Sequence, residues 1–235
     1  MKWEVPTLAL GVILLVIGHT FGLFVAPPEA MMGEVGRIFY VHVPTAWVCM
    51  LAYVACFVSA VVALWSGSYR WDAAVVATAE VGVLLNGLLL FQGSVWGRPT
   101  WGVWWTWDPR LTTSAVMFVL FGGVLLLRRL VDQPERRLTL SSIVAIVAAA
   151  DLPIVYFSVR WWNSLHQQQS SPKTVDSAMV LPLRLAAFGM LFLAIALIAR
   201  RWRQARADLD AEVDVPALPE LPRQIELTAD NREVR

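Results

Sequence analysis

The chain is poor in the side chains that most chemistry uses. Of 235 residues, two are cysteines, three are histidines and only 16% are charged. Cys49 and Cys56 stand seven positions apart in one apolar run. On a helix that spacing is about 10 Å, beyond the ~7 Å between alpha carbons that a disulfide tolerates. No C-x-x-C occurs, which removes a thiol-redox role and leaves buried packing as the reading of both thiols. No G-x-x-x-x-G-K-[ST] occurs either, so the chain has no phosphate loop for a nucleoside triphosphate. No internal repeat of fixed period is evident. The net charge of +1 comes with basic residues scattered at the ends of apolar runs. A basic stripe is missing, and no nucleic-acid partner is expected.

What is abundant is apolar surface: 57% of the residues are hydrophobic. Six runs, at roughly 7–26, 43–65, 73–95, 111–127, 139–157 and 177–199, each approach the ~20 residues a helix needs to cross a ~30 Å hydrocarbon core. The first lacks an A-x-A cleavage site and is followed by Pro27-Pro28, so it reads as a span and not as a signal peptide. The expected fold is an all-α integral membrane protein, a bundle of six transmembrane helices in the lipid bilayer. Basic residues set its orientation. Lys2, Arg70, Arg128, Arg129, Arg136, Arg137, Arg200, Arg201, Arg203 and Arg206 fall on one side, against Arg37, Arg98, Arg110, Arg160 and Lys173 on the other. That asymmetry predicts both termini in the cytoplasm. Residues 1–202 then form the membrane domain, and the charged, proline-containing stretch 203–235 reads as a flexible cytoplasmic tail, with a docking segment as the alternative.

The orientation puts "WGRPTWGVWWTWDPR" in an outer loop between the third and fourth spans. Five tryptophans occupy twelve positions there, and on a helix Trp101, Trp104, Trp105 and Asp108 would share one face, with Trp107 pointing elsewhere. An aromatic belt at the headgroup level is the alternative, but a belt spreads its members over many helices. The clustering favours a ligand-facing platform. His42 in "FYVHVPTAW", with Pro44 in the first helical turn, and His166 in "VRWWNSLHQQQ" lie at the outer ends of spans two and five, at one membrane depth. A flat apolar surface flanked by two histidines has the stereochemistry of haem held by two axial imidazoles, with basic residues available for the propionates. His19, inside span one, belongs to no such group and reads as a packing or hydrogen-bonding residue.

These residues carry a resemblance. "WGRPTWGVWWTWDPRLT" resembles the tryptophan-rich WWD signature, here 96–111, of the haem-handling membrane proteins of cytochrome c maturation. "VHVPTAW" and "SVRWWNSLHQ" resemble the two histidine segments that flank it in the CcmC family, in order and over residues 8 to 200. The longer CcmF and CcsA families share the WWD segment but have further histidines, which this chain lacks. The resemblance implies a haem-delivery subunit in the bacterial inner membrane, not an enzyme. Such a subunit holds haem b at the periplasmic face and presents it to the haem chaperone CcmE, beside the ABC transporter subunits CcmA and CcmB and the small membrane protein CcmD. It makes His42 and His166 the axial ligands, and Trp101, Trp104, Trp105, Trp107 and Asp108 the platform. Arg98 and Arg110 are propionate candidates on charge and position alone, with interfacial snorkelling as the alternative.

Two rival functions remain at this stage. An electron-transfer anchor of cytochrome b type buries its ligands within the spans, whereas both histidines here sit at loop junctions. A permease needs polar groups near the midplane, for which only Glu80, Asn86, Asp151 and Arg184 are on offer. Asp151 and Arg184 each lie about 12 Å deep from the outer side, and an ion pair between them is expected.

Overall fold

The computed structural model describes residues 3–167 and 175–213. Within them the chain is helical, with no strand. Helix α1 covers Glu4–Thr20 and runs on as a π-helical turn to Val25; a 3-10 turn at Glu34–Ile38 leads into α2, Phe39–Ser66. Helices α3 (Tyr69–Trp101), α4 (Pro109–Leu130), α5 (Pro134–Ala148), α6 (Asp151–Trp161) and α7 (Ser177–Val213) follow. Six stretches are long and apolar enough to cross a membrane, α5 and α6 together making the fifth. The protein is a multi-pass membrane protein.

Local chemistry explains the boundaries. Gly67 and Gly102 end α2 and α3 in the left-handed region, at φ of 61° and 81°, where a side chain would be strained. Proline opens both α4 and α5, where its missing N–H costs nothing. Pro153 breaks the fifth span at Ala149–Ala150: it cannot donate to the Ala149 carbonyl one turn back. Helix α2 starts earlier than its apolar run, so Pro44 is inside the helix and not in its first turn. Pro44 therefore leaves the Tyr40 carbonyl without its helical donor. The imidazole of His19 reaches the backbone of Tyr40, and its Nε2 is buried without a hydrogen-bond partner.

The core lies between α2, α3, α4 and α5. Tyr53 and Phe121 stack with centroids 3.9 Å apart. Asn86, fully buried, donates to Tyr53 Oη and to the Ser114 carbonyl, each at 3.3 Å. Helix α1 packs along α7 through Gly11, Gly18 and Gly189. At the end of the bundle where α1 begins and α7 ends, Arg128 holds Asp72 with both terminal guanidinium nitrogens, at 2.5 and 2.7 Å, and reaches Ser141 Oγ at 2.7 Å. Arg201 pairs with Glu80 and Arg203 with Glu4. Helix α7 continues past residue 203 as far as Val213, where the expected tail begins ten residues earlier. Its Ala205 and Leu209 bury against Ala73 and Val76 of α3, and Arg137 pairs with Glu212 at 2.5 Å. Lys173 and the tail from residue 214 lie outside the described residues.

The expected ion pair between Asp151 and Arg184 does not form. Asp151 is buried with one carboxylate oxygen unpartnered, and Arg184 is exposed. The reason is topological: α6 packs against α4, whereas α7 packs against α1, α2 and α3, so equal depth does not bring the two side chains together.

Candidate functional site

The site is at the end of the bundle where α2 begins, α3 ends and α6 gives way to the 162–167 segment. The first turn of α2 carries His42, 8% exposed. Gly93 of α3 faces its ring edge, where a β-carbon would stand 3.5 Å from Cε1. One turn on, Trp96 meets the same ring edge to face, centroids 5.4 Å apart. The Nδ1 of His42 is buried and has no hydrogen-bond partner. A polar atom desolvated without compensation is costly.

His166 is brought close to His42. The two imidazole centroids are 6.4 Å apart and their planes are inclined by 37°. A metal bound by two imidazoles from opposite sides, at bonds of about 2 Å each, separates their centroids by roughly 6 Å. The centroid distance alone is close to that value. The Nδ1 of His166 lies 2.8 Å from the Gln167 carbonyl. With Nδ1 donating there, Nε2 keeps its lone pair free, the arrangement in which a histidine is oriented for a metal. Burial first, and then the positive charge of Arg110, hold the His166 pKa below its ordinary value of 6.5; the Gln167 carbonyl and Asp108 act the other way. A neutral imidazole is the ligating form.

Asp108 and Arg110 frame the pair. Asp108 is 6% exposed and caps α4, accepting from the Arg110 backbone N–H at 2.9 Å. Its carboxylate also accepts from the Leu165 N–H at 2.7 Å and from Ser164 Oγ at 3.1 Å. The Arg110 guanidinium is part-buried, donates to the Val155 carbonyl at 3.4 Å, and acts electrostatically on both histidines. Arg98 does something else: exposed, it donates to the Gly102 carbonyl and closes the end of α3.

The tryptophan segment departs from the helical expectation. Helix α3 stops at Trp101, and residues 102–108 have no helical period, so Trp101, Trp104, Trp105 and Asp108 do not share a helix face. Gly102, in the left-handed region at the end of α3, overrules the apolar spacing. Trp104 and Trp107 are 59% and 82% exposed, and Trp105 meets Trp107 edge to face at 5.9 Å. Among the described residues, none of Trp101, Trp104, Trp105 or Trp107 makes a ring contact with either histidine, whereas Trp96 does. Trp161 and Trp162 extend the exposed aromatic surface beside His166, with Trp161 stacked on Phe157 at 5.2 Å. Sequence reasoning passed over Trp96, Gly93 and Ser164. The Gly93–Trp96 spacing of three, and a serine two residues before His166, were the signals available.

Comparisons with known proteins point the same way. The family model described as "Heme exporter protein C" matches residues 2–214. The chain is 38% identical over 205 residues to the Heme exporter protein C of Escherichia coli, covering 86% of this chain and 83% of that one. The protein of the same name from Haemophilus influenzae is 38% identical over 207 residues, with 86% and 84% covered. The one from Bradyrhizobium diazoefficiens is 34% identical over 207 residues, with 83% and 77% covered.

Proposed function

The chain belongs to the CcmC family, haem exporter protein C, and from that premise we propose that it holds haem b between His42 and His166 and presents it to the haem chaperone CcmE. As a member of the family it is a membrane component of haem handling in cytochrome c maturation and not an enzyme. The observation that carries the ligand assignment is the facing pair of imidazoles, 6.4 Å apart, one with a buried unpartnered nitrogen and the other oriented by a carbonyl. Haem is cargo here, and the residues suit cargo. Two imidazoles hold the iron, Trp96 lies against the His42 ring, and Arg110 is the stronger of the two propionate candidates because its charge acts on both histidines. Trp104, Trp105, Trp107 and Asp108, with Trp101 at the helix end, line the segment that meets the chaperone. Exposed indoles give a partner large rigid contact area at little entropic cost.

A site at the end of the bundle leaves one porphyrin edge open for transfer, whereas an electron-transfer subunit encloses its haem. In this reading the site faces the periplasm from the bacterial inner membrane. ATP is handled by CcmA and CcmB, with CcmD completing the assembly, since this chain has no phosphate loop. The test is spectroscopic and then functional. The purified protein should give a six-coordinate, low-spin b-type spectrum. His42→Ala and His166→Ala should each convert it to five-coordinate haem with weakened retention, and the double variant should lose haem. Transfer to added CcmE should fall in step. Equal haem loss in His19→Ala would sink the ligand assignment.

A further inference from the structure

We propose that Asp108 is a positioning residue for His166, a clamp that fixes the ligand loop against the start of α4. Residues 162–167 have no regular structure, so nothing in the local backbone holds His166 facing His42. Asp108 supplies what is missing. One carboxylate oxygen takes the Leu165 N–H at 2.7 Å; the other takes Ser164 Oγ–H at 3.1 Å and the Arg110 N–H at 2.9 Å. Ser164 Oγ in turn accepts the His166 N–H at 3.0 Å. Three consecutive loop residues are thus tied, directly or through one hydroxyl, to a single buried carboxylate. Hydrogen bonds to an ionised acceptor are about twice as strong as neutral ones, and ligand geometry must be held within about 0.5 Å. No salt bridge joins Asp108 to Arg110. The carboxylate is met instead by the Arg110 N–H at the N-terminus of α4 and by the loop. Because Asp108 also ends the tryptophan segment, that segment and the ligand loop share one anchor.

The proposal rests on His166 being a haem ligand, and its test separates the two ideas. Asp108→Ala, Asp108→Asn, Ser164→Ala and His166→Gly are prepared as full chains in lipid nanodiscs. Each is measured without haem, by amide hydrogen exchange over 162–167, and with haem, by absorption spectra with and without added imidazole. Asp108→Ala should speed exchange at Leu165 by about tenfold or more, the scale of losing a charge-assisted bond. It should also shift the haem toward the five-coordinate spectrum of His166→Gly, and imidazole should restore the low-spin form in both. Asp108→Asn keeps an oxygen acceptor and should fall between it and the wild type. Ser164→Ala removes only the relay and should give a smaller shift in the same direction, and it serves if Asp108→Ala does not fold. Unchanged loop exchange in folded Asp108→Ala or Ser164→Ala overturns the clamp. If His166→Gly keeps the wild-type spectrum, the ligand reading fails, and faster loop exchange in Asp108→Ala still supports the clamp.

Discussion

His42 and His166 are held in place by different means. His42 is held by packing, with Trp96 and the bare backbone of Gly93 shaping the space around its ring. His166 is held by hydrogen bonds on a loop, and its protonation is set by burial and by Arg110. The second arrangement predicts a pH dependence. The folded site lowers the His166 pKa, so the contribution of the neutral ring is complete above the ordinary value of 6.5 and declines as pH falls below it. In the haem-free protein, histidine NMR should place the His166 titration midpoint below 6.5, and Arg110→Gln should move it upward by removing the second cause. A wild-type midpoint above 6.5 would contradict the electrostatics of the site. With haem present, acid release should set in only below the ordinary imidazole range for the same reason.

At the scale of elements, the close approach of α1 and α7 is what fixes the wall behind α2. A β-carbon on Gly18 would stand 2.5 Å from the Ala186 backbone nitrogen, and one on Gly189 would stand 2.6 Å from that of Leu15. Backbone cannot move aside as a flexible side chain can. Gly18→Ala and Gly189→Ala should each cost about 1–3 kcal/mol, the usual range for overpacking, read as a lower thermal midpoint in detergent. Gly122→Ala, with nothing within 4 Å of the added carbon, is the control and should be neutral or slightly stabilising, since alanine is the better helix former. Equal losses at all three positions would refute this account of the packing. The break in the fifth span belongs to the same scale. Beyond the break at Pro153, helix α6 packs on α4 and not on α7. It is that choice of neighbour that separates Asp151 from Arg184.

Across the whole molecule, chemistry is segregated by end. The histidines, Asp108 and the exposed indoles occupy one end. The ion pairs Asp72–Arg128, Glu80–Arg201, Glu4–Arg203 and Arg137–Glu212 gather toward the other. The charge asymmetry of the loops predicts that the ion-paired end faces the cytoplasm, and the native cysteines make this easy to check. Cys49 and Cys56 are fully buried, so the unmodified protein should be silent to a membrane-impermeant thiol reagent. Val103→Cys should then label in cells whose outer membrane alone is permeabilised, and Ser68→Cys only after the inner membrane is opened. The reverse pattern would invert the orientation.

The sequence by itself determined the six spans, because 20 apolar residues have no stable state in water, and it determined the elements that end them, because glycine and proline act within one turn. It also singled out His42, His166 and Asp108 by residue type and position. What it could not determine was which helices become neighbours, since hydropathy records depth in the bilayer and not direction around the bundle. Equal depth brought His42 to His166 but left Asp151 away from Arg184; only the packing of α6 on α4, and of α7 on α1, α2 and α3, distinguishes the two cases. Periodicity likewise proposed a helical face for the tryptophans, and the backbone at Gly102 decided against it. The role of Asp108 was hidden for a related reason: its partners Ser164 and Leu165 are more than fifty residues away in the chain and meet it only when α4 and α6 lie side by side.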